Sequence, residues 1–517
     1  MSPSVSSPAY PSGRLEILGA VLTGLAAFLL AVWIGQSGSL KLVAAGILGA
    51  GVFGLAMVSG RPKAVLLGAW VISLTYNRMY FIFEPIVGYH GGQGPYIIVS
   101  DVFLAALLAG WCIDLVVHKQ LPKPRGRPMW VFLLPFFAVA SIGVLHSRRP
   151  EWGFFEMLRY LKLALIILYF RYQVGKREWW ICIAAFAFAV FFQGTLGIAE
   201  MATGRSGVLG VLGVAEPQNY PEALREEVFL GWHRATATMS HPPQLACYFI
   251  FINPILFALA FGTRHRRVRI AALIVGLLGL AGLGCTLSRW PNTLMVMELT
   301  VLFSGLVAMR LCAAKHAIAT ALVGLLVVGV VAFSFRDFIM DRLTRDLDRS
   351  IEFREKDDTT GLEVARDHPV FGVGLNNYHE YLIEYDPSWQ WAMQYEELGV
   401  KQQHTRPIVS PHSAYLLFLA ETGTLGLLAW LWFLAGVFRA GVRATMFTRG
   451  PWRAVCYGLS IGLVGLYLQQ LVDFSMVFDP LFYTLALVCG LLNIAPDLFA
   501  AQQVSAPPIP AAVGIAA

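Results

Sequence analysis

Of the chain's 517 residues, 57% are hydrophobic and only 14% are charged, and the mean hydropathy is +0.62. A water-soluble globular chain carries roughly 25% charged residues, so this composition excludes an ordinary soluble core. The net charge of +7 needs no nucleic-acid partner, because its placement along the chain is that of membrane loops.

The N-terminus, residues 1–14, is rich in serine and proline and is expected to be cytoplasmic. An apolar run follows from Leu15 to about Ile34. It is longer than a signal-peptide core and has no persuasive small-residue cleavage site, which predicts an uncleaved first span. Further runs near the ~20 residues that cross a bilayer begin near Leu40, Ala64, Tyr96, Met129, Met157, Trp179, Pro243, Val268, Pro291, His316, Ser413, Ala454 and Val477. These predict an all-α polytopic membrane protein of about twelve to fourteen spans. The expected order is an N-terminal bundle (15–200), a loop (201–242), central spans (243–335), a large loop (336–411) and C-terminal spans (412–496). An uncharged Pro/Ala-rich tail, 497–517, is expected to be disordered.

With every run crossing, the basic groups Arg61/Lys63, 118–127, 171–177, 263–269, Arg310/Lys315 and Arg439/Arg443/Arg449/Arg453 fall on one side. Short basic loops collect on the cytoplasmic face, so Trp152, Arg234, Arg289 and His412 are expected together on the outer face. The seven cysteines sit in or beside apolar runs with no CxxC spacing, which predicts packing residues and no zinc site or disulfide framework.

Within "RRPEWGFFEMLRYLKLALI" (148–166), Trp152, Phe154 and Phe155 are expected at the membrane interface. Arg159 and Lys162 share a helix face one turn apart, and Arg159 is expected to reach back to that interface. The large loop carries Phe353, Phe371, Tyr378, Tyr381, Trp389, Trp391 and Tyr395, an aromatic content that predicts ordered helices on the membrane face. Arg342, Arg345 and Arg349 fall on one face of a charged helix, read as solvated and salt-bridged.

Two stretches then stand out. In "EVARDHPVFGVGLNNYHEYL" (363–382), Gly372 and Gly374 permit a tight turn, and Asn376 and Asn377 favour turn or cap positions. In "SPHSAYLLFLAETGTLGLL", Pro411 disfavours helix before it, which predicts His412 in the first turn of a membrane helix at the water boundary. Glu421 lies two and a half turns further in, near the opposite face, so the two do not form a side-by-side pair. A carboxylate inside the membrane needs a partner, here a loop or a neighbouring helix.

The stretches "RDHPVFGVGLNNY" and "PHSAYLLFLAETGTLGL" resemble the "dHPlfGvGlgnf" and "HNxyLxxlaEtGllGl" patterns of the bacterial O-antigen ligases and related O-antigen and exopolysaccharide polymerases. "RATATMSHPPQLACYF" (234–249) is similar to that family's "RatGtf-x-hPNxlA", and "TLSRWPNTL" (286–294) to its "SR" segment. The motifs run from about Trp232 to Leu428. Ser413 stands where the family has Asn, and Ala237 where it has Gly.

The resemblance implies a GT-C-like architecture in the bacterial inner membrane, with the active site facing the periplasm and membrane lipids around it. It implies metal-independent, cofactor-free, inverting transfer of a glycan from an undecaprenyl-diphosphate-linked donor to a hydroxyl of lipid A-core or of a growing polysaccharide. On that reading His412 is the base, and Arg234, Arg354, Arg289 and Lys162 meet the diphosphate. Arginine suits phosphate through its planar donor fork, and histidine titrates near neutrality. Glu421, Asn376 and Tyr415 are supporting residues. A polymerase of the same family, or a polysaccharide or lipid transporter, is the alternative; transporters concentrate polar groups at mid-membrane.

Overall fold

In hydrocarbon every backbone N–H and C=O needs an internal partner, so runs of this apolar character are confined to helices. The computed structural model describes residues 51, 52, 54, 58–76, 79–81, 96–119, 121–203, 234–239, 241–315, 318, 319, 322, 329, 333, 336, 347–386 and 410–500, the side chains of 79–81, 347–353 and 383 excepted. The expected spans at Leu15 and Leu40, most of that at His316, the arginine face of 342–349, Trp389, Trp391, Tyr395 and the tail after Ala500 lie outside them.

The first helices are α1 (Pro62–Ser73), α2 (Val99–His118), α3 (Leu134–His146), α4 (Pro150–Gln173) and α5 (Lys176–Thr203). Then come α6 (Pro242–Gly262), α7 (Arg266–Cys285), α8 (Arg289–Ala308), α9 (Leu347–Asp367) and α10 (Tyr378–Tyr385). The last are α11 (Ala414–Phe447), α12 (Pro451–Gln469) and α13 (Asp479–Phe499). Short strands β1 (Met79–Phe81) and β2 (Tyr96–Ile98) pair antiparallel between α1 and α2. Among the described residues, eight helices are long and apolar enough to cross a membrane. The chain is an all-α polytopic membrane protein.

Helices that are apolar all round belong in the interior. Helices α6 and α13 follow this rule, being buried along almost their whole lengths, and α12, α7 and α4 pack against one or the other. At the basic end of the bundle, Arg127 N–H donates to Asn493 Oδ1 (3.1 Å), and Asn493 Nδ2 donates to the Arg127 carbonyl (2.8 Å). Gly126 N–H reaches Asp497 Oδ2 (2.6 Å). These bonds tie the basic 121–128 connection to the end of α13.

Arg159 departs from the sequence expectation. It does not reach the interface: its guanidinium lies 2.8 Å from Glu156 and 3.7 Å from Asp479, donates to the Val477 carbonyl, and packs over the Phe482 ring. Half-buried Glu156 on α4 and buried Asp479 on α13 supply the compensation that a buried cation requires. Trp152 is likewise buried, 5.6 Å beneath the Arg149 guanidinium, while Phe154 is exposed.

The 34 residues of α11 are not one continuous helix. Gly423 has φ 65° and ψ −174°, which breaks the ladder and leaves backbone groups on both sides without helical partners. The 369–374 segment supplies them. Val373 and Gly374 N–H donate to the carbonyls of Ala420 (3.0 Å) and Glu421 (2.8 Å), and Thr424 N–H donates to the Pro369 carbonyl (2.8 Å). Side chains would prevent this approach. A Cβ on Gly372 would stand 2.3 Å from the Glu421 carbonyl carbon, and one on Gly423 would stand 2.2 Å from the Val370 oxygen. The two glycine-bearing stretches singled out in the sequence are thus two halves of one backbone joint.

Candidate active site at the loop end of the bundle

Helix α9 is amphipathic, and Arg354, Asp357, Asp358 and Gly361 recur on it at three- and four-residue intervals, so they share a face. Gly361 permits close packing there, since a Cβ would meet Pro411 Cγ at 2.5 Å. The next turns bury Val364 and Ala365 with Tyr378, Tyr381, Leu382, Leu417 and Ala420 in a small apolar cluster. That cluster and the Gly372–Gly423 joint fix α9 across the start of α11.

The start of α11 lies two residues later than the sequence suggested. Ser413 is the N-cap, its hydroxyl accepting from Leu416 N–H (3.4 Å), and the helix begins at Ala414. Serine and asparagine are both favoured N-caps, which accounts for Ser413 at a position where the resembling family has Asn. His412 therefore precedes the cap instead of occupying the first turn. Its backbone N–H donates to Asp358 Oδ1 (2.7 Å), and its ring Nε2 lies 3.6 Å from Asp357 Oδ2. The Phe474 ring stands 5.9 Å away, centroid to centroid. Burial pushes the Asp358 carboxyl above its ordinary range, and the His412 and Ser413 amides and the nearby Arg354 charge oppose that rise.

The floor under His412 comes from the α12–α13 connection. Ala414 N–H donates to the carbonyls of Gln470 (3.0 Å) and Asp473 (3.3 Å). The Asp473 carboxylate accepts from Ser475 Oγ (2.7 Å) and Gln469 Nε2 (3.1 Å). Gln470 also reaches Cys247 Sγ near the start of α6 (3.9 Å), which places the Arg234 segment at the same end of the bundle. On the other flank, the Ser410 hydroxyl meets His379 Nε2 at 3.3 Å.

Arg234 and Arg289 flank one turn, between α7 and α8. Arg234 Nε donates to the Thr286 carbonyl (2.9 Å) and Nη2 to Ser288 Oγ (3.2 Å), one residue before Arg289. The backbone after Arg234 is held by buried Glu200, whose carboxylate accepts from the N–H groups of Thr236 (2.8 Å) and Ala237 (2.9 Å). Ala237 has φ 46°, a left-handed conformation that suits glycine, the residue of the resembling family there. Arg354 is instead exposed on α9, one turn before Asp357 and Asp358, and its charge acts on the Asp358 carboxyl. Lys162 stands apart from both groups, paired with Asp101 on α2 at 3.1 Å. Tyr415 donates its hydroxyl to the Tyr467 carbonyl (3.0 Å), joining α11 to α12.

Glu421 faces the loop. Its carboxylate accepts from the backbone amides of Asn376, at φ 55°, and Tyr378. The neighbouring Asn377 is fully buried and pairs with the Arg149 backbone through both amide atoms (2.8 and 3.1 Å). Glu421→Gln keeps one acceptor oxygen and should fold nearly as well as the wild type, whereas Glu421→Ala strands buried amides and should lower the yield of folded protein. Size-exclusion recovery of the two variants separates these outcomes.

Sequence reasoning gave Asp357, Asp358 and Asp473 no role. The first two stand at helical spacing from Arg354, but the 54-residue separation of Asp358 from His412 hides the contact. Among the described residues no three His, Cys, Asp or Glu side chains gather as a metal site would require. The arrangement is a histidine at a helix mouth, carboxylates on two sides, and arginines on α9 and at the α7–α8 turn at the same end of the bundle. It can take up a proton and bind an anion. Residues 274–431, from within α7 to beyond the α11 break, match the family described as O-Antigen ligase. No curated protein matches the chain.

Proposed function

From the O-antigen ligase-like character of residues 274–431, which span α8, α9 and the His412 mouth, we propose that the protein transfers a lipid-diphosphate-linked glycan to an acceptor hydroxyl. The single observation that carries the reading is His412 at the start of a membrane helix with Asp357 at its ring and Arg354 on the same helix as Asp357. The acceptor arrives from water while the donor's diphosphate stays at the lipid surface, and a residue at that boundary reaches both.

His412 accepts the proton of the attacking hydroxyl. The freed oxygen pair forms the bond to the anomeric carbon as the carbon's bond to the phosphate oxygen breaks, and the diphosphate leaves with the electrons of that broken bond. In-line attack inverts the anomeric centre. Arg234, Arg289 and Arg354 oppose the charge that grows on the leaving group, which needs neither metal nor cofactor. The periplasmic face of the inner membrane is the compartment in which undecaprenyl diphosphate, and no nucleotide sugar, is the leaving group.

Purified protein incubated with an undecaprenyl-diphosphate-linked oligosaccharide and lipid A-core should extend the acceptor. No product with any hydroxyl acceptor would overturn the reading. Surface glycans of a deletion strain decide the acceptor: loss of all capped lipid A-core indicates a ligase, and single-repeat capping or missing exopolysaccharide indicates a polymerase. Arg289→Ala should act on binding. A charge-assisted hydrogen bond contributes about 1.5–3 kcal/mol, so the KM for donor should rise roughly 10–100-fold with a smaller change in kcat.

A further inference from the structure

Because His412 precedes the cap of α11, no helical hydrogen bond orients it, and its ring is set by what packs around it. Its main chain is held by Asp358, whose Oδ1 is engaged at 2.7 Å by the His412 amide. On the α12–α13 side, the carboxylate of Asp473 is engaged by Gln469, Phe474 and Ser475. Glu421 points to the Asn376–Tyr378 backbone. Arg354 lies one turn before Asp357 and Asp358 on α9. Among these groups, the carboxylate that meets the imidazole is Asp357, 3.6 Å from Nε2 with its side chain only 8% exposed.

We propose that Asp357 is the positioning residue of the base: it holds the Nε2 edge of His412 and stabilises the imidazolium formed when Nδ1 takes the acceptor's proton. The inference rests on the reading of His412 as that base. At 3.6 Å the contact is longer than a hydrogen bond, so in this structure it acts through charge. Contacts of this kind tighten when substrate fills a site. Asp357 remains ionised throughout and gains no proton, as an orienting carboxylate does beside a catalytic histidine.

The mounting of Asp357 is what makes this role specific. It sits on a helix clamped by the Gly361–Pro411 contact and by the Gly372–Gly423 backbone joint, so the carboxylate is carried by a rigid element. The same face presents Arg354 one turn earlier. One helix thus brings a cation for the leaving group and an anion for the base, and α9 must be docked for either to act.

The test is the pH dependence of kcat for purified protein with the lipid-linked donor. Asp357→Asn should lower kcat roughly 10–100-fold, less than loss of the base itself. Without the carboxylate the imidazole protonates less readily, so the acidic limb of the profile should move to lower pH. The KM for donor should change little. Asp357→Glu keeps the charge but lengthens the side chain, and should leave the limb in place with a reduced kcat.

A wild-type kcat in both variants would overturn the inference. So would a uniform loss of rate in Asp357→Asn with the acidic limb unmoved, because a residue that merely builds the mouth has no influence on the base. If Asp357→Asn failed to fold, a wild-type kcat in Asp357→Glu would still overturn it. Failure of the underlying reading looks different: His412→Ala would then retain the wild-type rate, whatever the Asp357 variants did.

Discussion

His412→Ala should reduce glycan transfer by roughly 10²–10⁴-fold, the usual cost of removing a general base, while expression and donor binding stay normal. The separation follows from the position of the side chain. His412 lies before the N-cap, so the helix start depends on the Ser413 hydroxyl and on the Ala414 amide bonded to Gln470 and Asp473. His412 also holds Asp358 through its backbone amide, and alanine keeps that amide. Truncation therefore removes the imidazole with its Asp357 and Phe474 contacts and leaves these backbone bonds in place. The decisive measurement is single-turnover transfer by purified protein, with donor binding measured in parallel. Wild-type transfer by the variant would make the mouth a structural helix start only.

Gly423→Ala should be the most damaging single change to the fold of this region. Its φ of 65° with ψ −174° belongs to a region that essentially only glycine occupies, at a cost of about 1–3 kcal/mol for another residue. The added Cβ would also lie 2.2 Å from the Val370 oxygen and 2.6 Å from the Phe371 nitrogen. Those are backbone atoms of the segment that satisfies the broken helix, so relief requires separating the two strands of the joint. Overpacking of this kind costs a further ~1–3 kcal/mol, and each lost backbone bond adds about 0.5–1.5 kcal/mol. A loss of this size is a large fraction of the stability that most domains possess. The expected result is a sharp fall in monodisperse protein after detergent extraction and a lowered Tm in whatever survives. Gly110→Ala in α2 is the control: nothing lies within 4 Å of its Cβ, and alanine favours the helix. A Gly423→Ala protein as stable as that control would mean that the joint is not required.

The joint also explains why sequence and structure divide as they do. The sequence by itself determined the class of fold, because hydrophobicity, helix length and loop charge are local quantities set by the bilayer. It marked Gly372, Gly374, His412 and Glu421 as unusual, since glycine pairs and polar groups stand out against apolar runs. It placed the helix start two residues early because a proline followed by a polar residue does not say which residue caps.

What only the tertiary structure decided are the partners. Arg159 turned inward because carboxylates from two helices, one of them more than three hundred residues distant, surround it. Lys162 found Asp101, 61 residues away. Asp357 and Asp358 acquire a role only when α9 is laid across α11. The physical reason is common to all three: the cost of burying a charge is local, but its compensation comes from whichever element the fold brings alongside, and linear spacing carries no record of that choice.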